Sequence, residues 1–161
     1  MLKLDTAAPE FILPDENGDD VSLSGLLEDG PLILYFYPAD FTPGCTKEAC
    51  SIRDAYADIK SVGLQVVGVS PQDGASHIRF REEHNLPFTL LSDIDKVAIK
   101  MYDVDGPFGV GVRRVTYLIS QGKKIQSAVQ ADVLIGRHQE FIDKAVMLRD
   151  AAGLRIGETG E

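Results

Sequence analysis

Leu32-Ile33-Leu34-Tyr35-Phe36-Tyr37, followed at once by Pro38-Ala39-Asp40-Phe41-Thr42-Pro43-Gly44-Cys45-Thr46-Lys47-Glu48-Ala49-Cys50, is the stretch on which the reading of this chain turns. The apolar run reads as a buried strand. Thr42 and Pro43 form a favourable N-cap and first-turn pair, because a hydroxyl can accept an orphan peptide N–H and proline has none to leave unsatisfied. A helix from residue 43 to about residue 60 sets Ile52, Ala55, Tyr56 and Ile59 on one face. Cys45 then lies in the first turn, where free N–H groups and the helix dipole favour negative charge. A sulfur held there is expected to act as a nucleophile, with Cys50 five positions on as its partner.

Outward from this unit, apolar runs and helical patterns alternate. Residues 64–69 read as a strand, 71–74 as a turn and 75–84 as a helix stopped by Asn85-Leu86-Pro87. Residues 89–91 are a further strand, and a short helix is expected near 96–101. A glycine-rich loop at 106–111 leads into a strand at 115–119, which Gln121-Gly122 turns back into 125–130 as an antiparallel neighbour. A last helix over about 136–150 places Phe141, Ile142, Ala145 and Leu148 on one stripe, and 152–161 reads as a loose tail. β-α-β units, a hairpin and a closing helix predict an α/β fold in one domain, a mixed sheet with helices on both faces.

Composition limits the functions open to the chain. Its 161 residues suit one domain, and the absence of any apolar stretch near ~20 residues excludes a helical membrane span. The N-terminal residues lack the apolar segment of a secretory signal, so a reducing cytoplasm is the expected compartment. There, two cysteines point to reactivity rather than to a permanent staple. A formal charge of −9 argues against nucleic acid or anionic lipid as a partner.

Two quantities sharpen the thiol site. A helix dipole contributes ~0.3–1 kcal/mol and at most ~2, too little by itself for a largely ionised thiolate at neutral pH. A second positive charge is needed, and Arg113 or Arg114, ahead of the 115–119 strand, can supply it; strand parity leaves the choice open. Positions five apart in an intact helix are separated by roughly 8.6 Å between Cα atoms. A disulfide spans no more than ~7 Å, so bonding Cys45 to Cys50 requires the first helical turns to unwind.

These residues resemble the peroxiredoxins, and among them the peroxiredoxin Q or bacterioferritin comigratory protein group. The family pattern Pro-x-x-x-Thr-x-x-Cys falls on Pro38, Thr42 and Cys45, and a partner cysteine at Cys50 marks the group. Ala8-Pro9-Glu10-Phe11, Leu91-Ser92-Asp93 and an Arg three positions before an aromatic, Arg114 before Tyr117, extend the likeness over about residues 7–148. Tyr117 replaces the usual Phe, and Ala39-Asp40 varies a Pro-Lys-Asp run.

The resemblance implies a thioredoxin-like fold, a peroxidatic Cys45 and a resolving Cys50. It selects Arg114, which with Thr42 Oγ1 and the Cys45 N–H would hold the peroxide oxygens, while Pro38 shields the sulfur and Glu48 orients Arg114. The implied substrates are hydrogen peroxide and organic hydroperoxides, and the implied reductant is thioredoxin or a similar dithiol protein. No metal, haem or flavin is required, and an internal resolving cysteine makes a monomer or weak homodimer sufficient. The competing reading is a non-catalytic redox-sensing domain switched by a Cys45–Cys50 disulfide.

The remaining candidates read blandly. His77, His84 and His138 lack ligand spacing and are expected to be ordinary surface or interface histidines, and two cysteines fall short of a zinc set. The 106–111 loop precedes a strand rather than a helix and lacks the Lys-Ser/Thr of a phosphate loop, so it reads as a flexible connector. Glu82-Glu83 and Asp93-Asp95 read as solvated faces and turns.

Overall fold

A computed structural model of the chain describes residues 1–154. Chain order gives β1 (Ile12–Pro14), β2 (Asp20–Ser22), α1 (Leu23–Leu27), β3 (Leu32–Phe36), α2 (Pro43–Ser61), β4 (Gln65–Ser70), α3 (Gly74–His84), β5 (Thr89–Ser92), α4 (Val97–Met101), β6 (Val115–Ile119), β7 (Ile125–Gln130) and α5 (Gly136–Ala151). The elements expected from residue 32 onward form within one or two residues of their anticipated ends. The hairpin β1–β2 and the short α1 were not anticipated, because three-residue strands carry too little periodicity to read. Of the tail expected over 152–161, residues 155–161 lie outside the described residues.

The five-stranded sheet runs β5-β4-β3-β6-β7. β3 pairs parallel to β4 and β4 to β5, while β6 is antiparallel to both β3 and β7. β3 is therefore central, and every residue in it is buried. Its alternate residues feed two cores. Leu32, Leu34 and Phe36 meet Val67, Val69, Val115, Tyr117 and Ile119, covered by Phe11, Leu13 and Leu23 from the N-terminal hairpin and α1 and by Ala98, Ile99 and Tyr102 of α4 and its end. Ile33, Tyr35 and Tyr37 meet Cys45, Ala49, Ile52 and Ile59 of α2, Phe80 of α3 and Ile142 and Ala145 of α5. Double coverage explains why β3 reads as an unbroken apolar run rather than an alternating one.

One close approach requires glycine. A Cβ at Gly68 on β4 would stand 2.8 Å from Cζ of Tyr35 and 2.9 Å from Cδ2 of Leu90, so the Tyr35 ring packs against β4 there only because no side chain projects. The α5 stripe differs from expectation: Ile142 and Ala145 are buried, Phe141 is half-buried and Leu148 is 63% exposed, its place on the buried face taken by His138 one turn before Ile142. Nor is the 106–111 loop a free connector. Lys96 Nζ reaches Asp105 Oδ1 at 3.0 Å and the carbonyls of Gly109 and Gly111 at 3.1 and 2.9 Å, which ties the loop to the start of α4. Asp93 is buried rather than solvated, because its carboxylate accepts from the N–H groups of Val97 and Ile99 at the start of α4.

Candidate active site

Strand pairing assembles the site. Phe36, the last residue of β3, pairs with Val115, the first of β6, so the residue before β6 arrives where β3 ends and α2 is about to begin. That residue is Arg114. Ligands in open α/β sheets collect beyond the carboxyl ends of strands, which is where β3 delivers residues 38–42 and the N-terminus of α2.

Cys45 occupies the third position of α2 and is 1% exposed. Arg114 Nη2 donates to its Sγ at 3.3 Å, and Nη1 donates to Glu48 Oε1 at 2.8 Å. The guanidinium is thus a bracket between the sulfur and a carboxylate one helical turn on. A fork of fixed donors does this where a lysine offers a single point of charge. Gly44 leaves room for it: a Cβ there would lie 3.2 Å from Arg114 Nη2. Arg113 points the other way, 41% exposed and paired with Asp132 at 3.3 Å. Parity was readable in retrospect, because Val115, Tyr117 and Ile119 serve the core under α4, which leaves Arg114 and Thr116 on the α2 side.

Behind the bracket lies a buried cluster that the sequence reading missed. His138 is 1% exposed rather than a surface histidine. Its Nε2 donates to the Ala131 carbonyl at 2.9 Å, which leaves Nδ1 to accept from the Thr116 hydroxyl at 2.8 Å. That pairing makes the ring neutral, and burial correspondingly lowers its pKa, the Ala131 bond opposing and the Arg114 charge adding to the effect. Glu48 Oε2 stands 3.5 Å from the same Nδ1, too long for a good bond. Glu48 therefore has Arg114 alone to offset the loss of water. Burial raises its pKa to about 7 despite the guanidinium.

Thr42 and Pro38 are half-buried in the segment leading to Cys45. Thr42 is the N-cap by position, but its hydroxyl does not accept a helix N–H as expected; it donates to the Ala39 carbonyl at 3.1 Å. The hydroxyl thus serves the turn before the helix. Asp40 is buried as well, accepting from the Tyr37 hydroxyl at 2.6 Å, from Ser76 Oγ at 2.7 Å and from His77 Nδ1 at 2.7 Å. His77, 0% exposed, is the second histidine wrongly assigned to the surface; Phe80, three residues on, shares its buried face of α3.

Cys50 is half-buried, and both cysteines are free thiols within an unbroken α2. At helical spacing they are too far apart to bond, so this is the reduced, folded arrangement. Among the described residues no cluster suited to a metal ion occurs, and no helix is long and apolar enough to cross a membrane. A groove of about 630 Å³ between the β6–β7 pair and α5 is lined by Phe141, Lys144 and Leu148 and by none of Pro38, Thr42, Cys45, Cys50 and Arg114. Volume is therefore no guide to the chemistry here.

Residues 4–128 match the AhpC/TSA family. The chain belongs to that family. It is 46% identical over 121 residues to a chloroplastic peroxiredoxin Q of Arabidopsis thaliana, an alignment covering 74% of this chain and 56% of the plant protein. The chain spans about half the length of such curated relatives. Among solved structures, the peroxidoxin BcpB of Mycobacterium tuberculosis superposes with a TM-score of 0.84 at 34% identity, covering 94% of this chain and 98% of that one. The bacterioferritin comigratory protein of Xanthomonas campestris, described for its alkyl peroxide reduction, gives 0.78 at 26% identity, covering 94% and 98%. The fold is accordingly the thioredoxin-like fold of the AhpC/TSA peroxiredoxins.

Proposed function

We propose that this chain is a thiol peroxidase in which Cys45 is oxidised by peroxide and Cys50 resolves it within the same chain. The observation that carries the reading is the 3.3 Å contact from Arg114 Nη2 to a buried Cys45 Sγ at the start of α2. The guanidinium and the helix terminus both stabilise negative charge on the sulfur.

In the first step the Cys45 thiolate attacks one peroxide oxygen. An S–O bond forms, the O–O bond breaks, and the leaving alkoxide or hydroxide takes a proton to become an alcohol or water, leaving Cys45 as sulfenic acid. The sulfur is oxidised by two electrons and the peroxide is reduced by two. Arg114 donors, the Cys45 N–H and the Thr42 hydroxyl, if it turns from the Ala39 carbonyl, stabilise charge as it moves between oxygens. Pro38 shields the sulfur from bulk water.

In the second step α2 unwinds from its N-terminus, and the Cys50 sulfur displaces hydroxide from Cys45 to form the disulfide and water. A dithiol protein such as thioredoxin then reduces that disulfide by exchange. Hydrogen peroxide and organic hydroperoxides are the proposed substrates, and neither step calls for a metal or organic cofactor. Resolution within one chain lets a monomer or weak homodimer suffice.

Stopped-flow mixing of the reduced protein with hydrogen peroxide tests the reading. Cys45 should react orders of magnitude faster than free cysteine at equal pH, and an equal rate rejects a peroxidase. Steady-state turnover with thioredoxin separates this reading from a redox sensor, which oxidises without cycling rapidly.

A further inference from the structure

Beneath residues 38–42 lies a second buried polar cluster to which the proposed chemistry assigns no part. Three donors converge on Asp40: the Tyr37 hydroxyl on Oδ1, and Ser76 Oγ and His77 Nδ1 on Oδ2. Three inward-pointing donors suit a carboxylate, not a carboxylic acid. Burial opposes the charge, yet the His77, Tyr37 and Ser76 bonds outweigh it and bring the Asp40 pKa below its ordinary value. The other His77 nitrogen, Nε2, faces the Leu91 carbonyl at 3.2 Å. Both ring nitrogens face acceptors, so full pairing of the ring calls for a proton on each, the arrangement of a buried ion pair with Asp40.

The location of the pair gives it a consequence. Asp40 stands two residues before Thr42 and five before Cys45, and it fastens this segment to α3 and, through Leu91, to β5. Phe41 reinforces the attachment, its ring 5.2 Å from Phe80 and 6.4 Å from His84. Phe41 also has φ 66°, a left-handed conformation that costs an aromatic residue on the order of 1–3 kcal/mol and persists only where neighbours impose it. Tyr37 N–H, on the Val69 carbonyl at 3.1 Å, holds the other end. The segment carrying Pro38 and Thr42 is thus held from α3 at Asp40 and Phe41 as well as from α2, whose Thr46 N–H donates to the Thr42 carbonyl at 2.8 Å.

We propose that Asp40 and His77 are positioning residues, an ion pair that holds Pro38 and Thr42 in place over Cys45 while peroxide binds. The idea rests on the peroxidase reading above and adds a requirement to it: the segment ahead of Cys45 keeps its attachment to α3 through Asp40 when the first turns of α2 unwind. No covalent step involves the pair.

Two measurements test this. In wild-type protein labelled with ¹⁵N-histidine, NMR at neutral pH should show both His77 nitrogens protonated; one nitrogen without a proton overturns the proposal. Stopped-flow oxidation by hydrogen peroxide should be slowed about tenfold or more in a folded Asp40→Asn variant, since misplacing a binding group by a fraction of an ångström has effects of that size. Should Asp40→Asn not fold, Ser76→Ala removes one of the three bonds from a half-buried site and should slow oxidation about two- to threefold. A wild-type rate in whichever variant folds overturns the proposal and leaves the peroxidase reading standing. Wild-type protein no faster than free cysteine overturns both.

Discussion

Replacing Glu48 with glutamine should stabilise the protein at alkaline pH while weakening its chemistry. Glu48 is 2% exposed, and its pKa is raised from 4.5 to about 7 chiefly by burial. In the unfolded chain the carboxylate ionises near 4.5, whereas in the folded chain it holds its proton until about 7. Between those values the native state binds more protons, so the stability this group contributes is present below pH 4.5 and is lost as pH rises through about 7. The difference of about 2.5 pH units, at ~1.4 kcal/mol each, comes to about 3 kcal/mol. Glutamine keeps the shape and an acceptor for Arg114 Nη1 and carries no charge at any pH. Urea unfolding of both proteins from pH 4.5 to 8.5 under reducing conditions gives the difference directly, because groups common to both cancel. Glu48→Gln should gain on the wild type by about 3 kcal/mol across that range. A difference that stays constant with pH, or runs the other way, refutes the reasoning. Above pH 7, where the wild-type Glu48 is ionised, the peroxide reaction should slow about fivefold, as Arg114 exchanges a charge-assisted bond for a neutral one worth ~1 kcal/mol less, and the difference should shrink toward pH 4.5. A buried carboxylate that lowers stability is retained here for the orientation it imposes on Arg114.

Further expectations can be checked by similar means. Arg114→Lys keeps the charge but loses the fork between Cys45 and Glu48, so stopped-flow oxidation by peroxide should fall by about 10²-fold, the usual effect of removing one transition-state donor. Cys50→Ser should retain a full first oxidation of Cys45, read by sulfenic acid trapping, and lose sustained turnover with a dithiol reductant; unchanged turnover would mean that another thiol resolves. Gly44→Ala should add ~0.5–1 kcal/mol of helix propensity, raising Tm by about 1–4 °C, while its Cβ crowds Arg114 Nη2. Stopped-flow should then show both oxidation and disulfide formation slowed about two- to fivefold, the second because the first turn of α2 is harder to unwind.

The parts of the fold legible in the sequence were those in which one element carries a strong pattern. The doubly buried β3 showed as an unbroken apolar run, the α2 start as Thr42-Pro43, and the β6–β7 hairpin as Gln121-Gly122 between two strands. β1, β2 and α1 escaped notice because each is too short for a period to show, and their order comes from covering Leu34 and Phe36. The thiol site was legible through spacing, and the family likeness chose Arg114 where parity had left two arginines open. Its buried supports were not legible. His77 and His138 look like any helical histidine until their partners arrive, and those partners, Asp40 for one and Thr116 with Ala131 for the other, lie far away in sequence. Each nonetheless left a trace: His77 precedes Phe80 by three and His138 precedes Ile142 by four, which places both on apolar faces.

Mass spectrometry of the reduced protein treated with one equivalent of hydrogen peroxide tests the central claim most directly. The account predicts a chain that has lost two hydrogens and yields, on digestion, a peptide pair linked from Cys45 to Cys50 within one molecule. Peroxide consumed with Cys45 still a free thiol, or links only between separate chains, would contradict it.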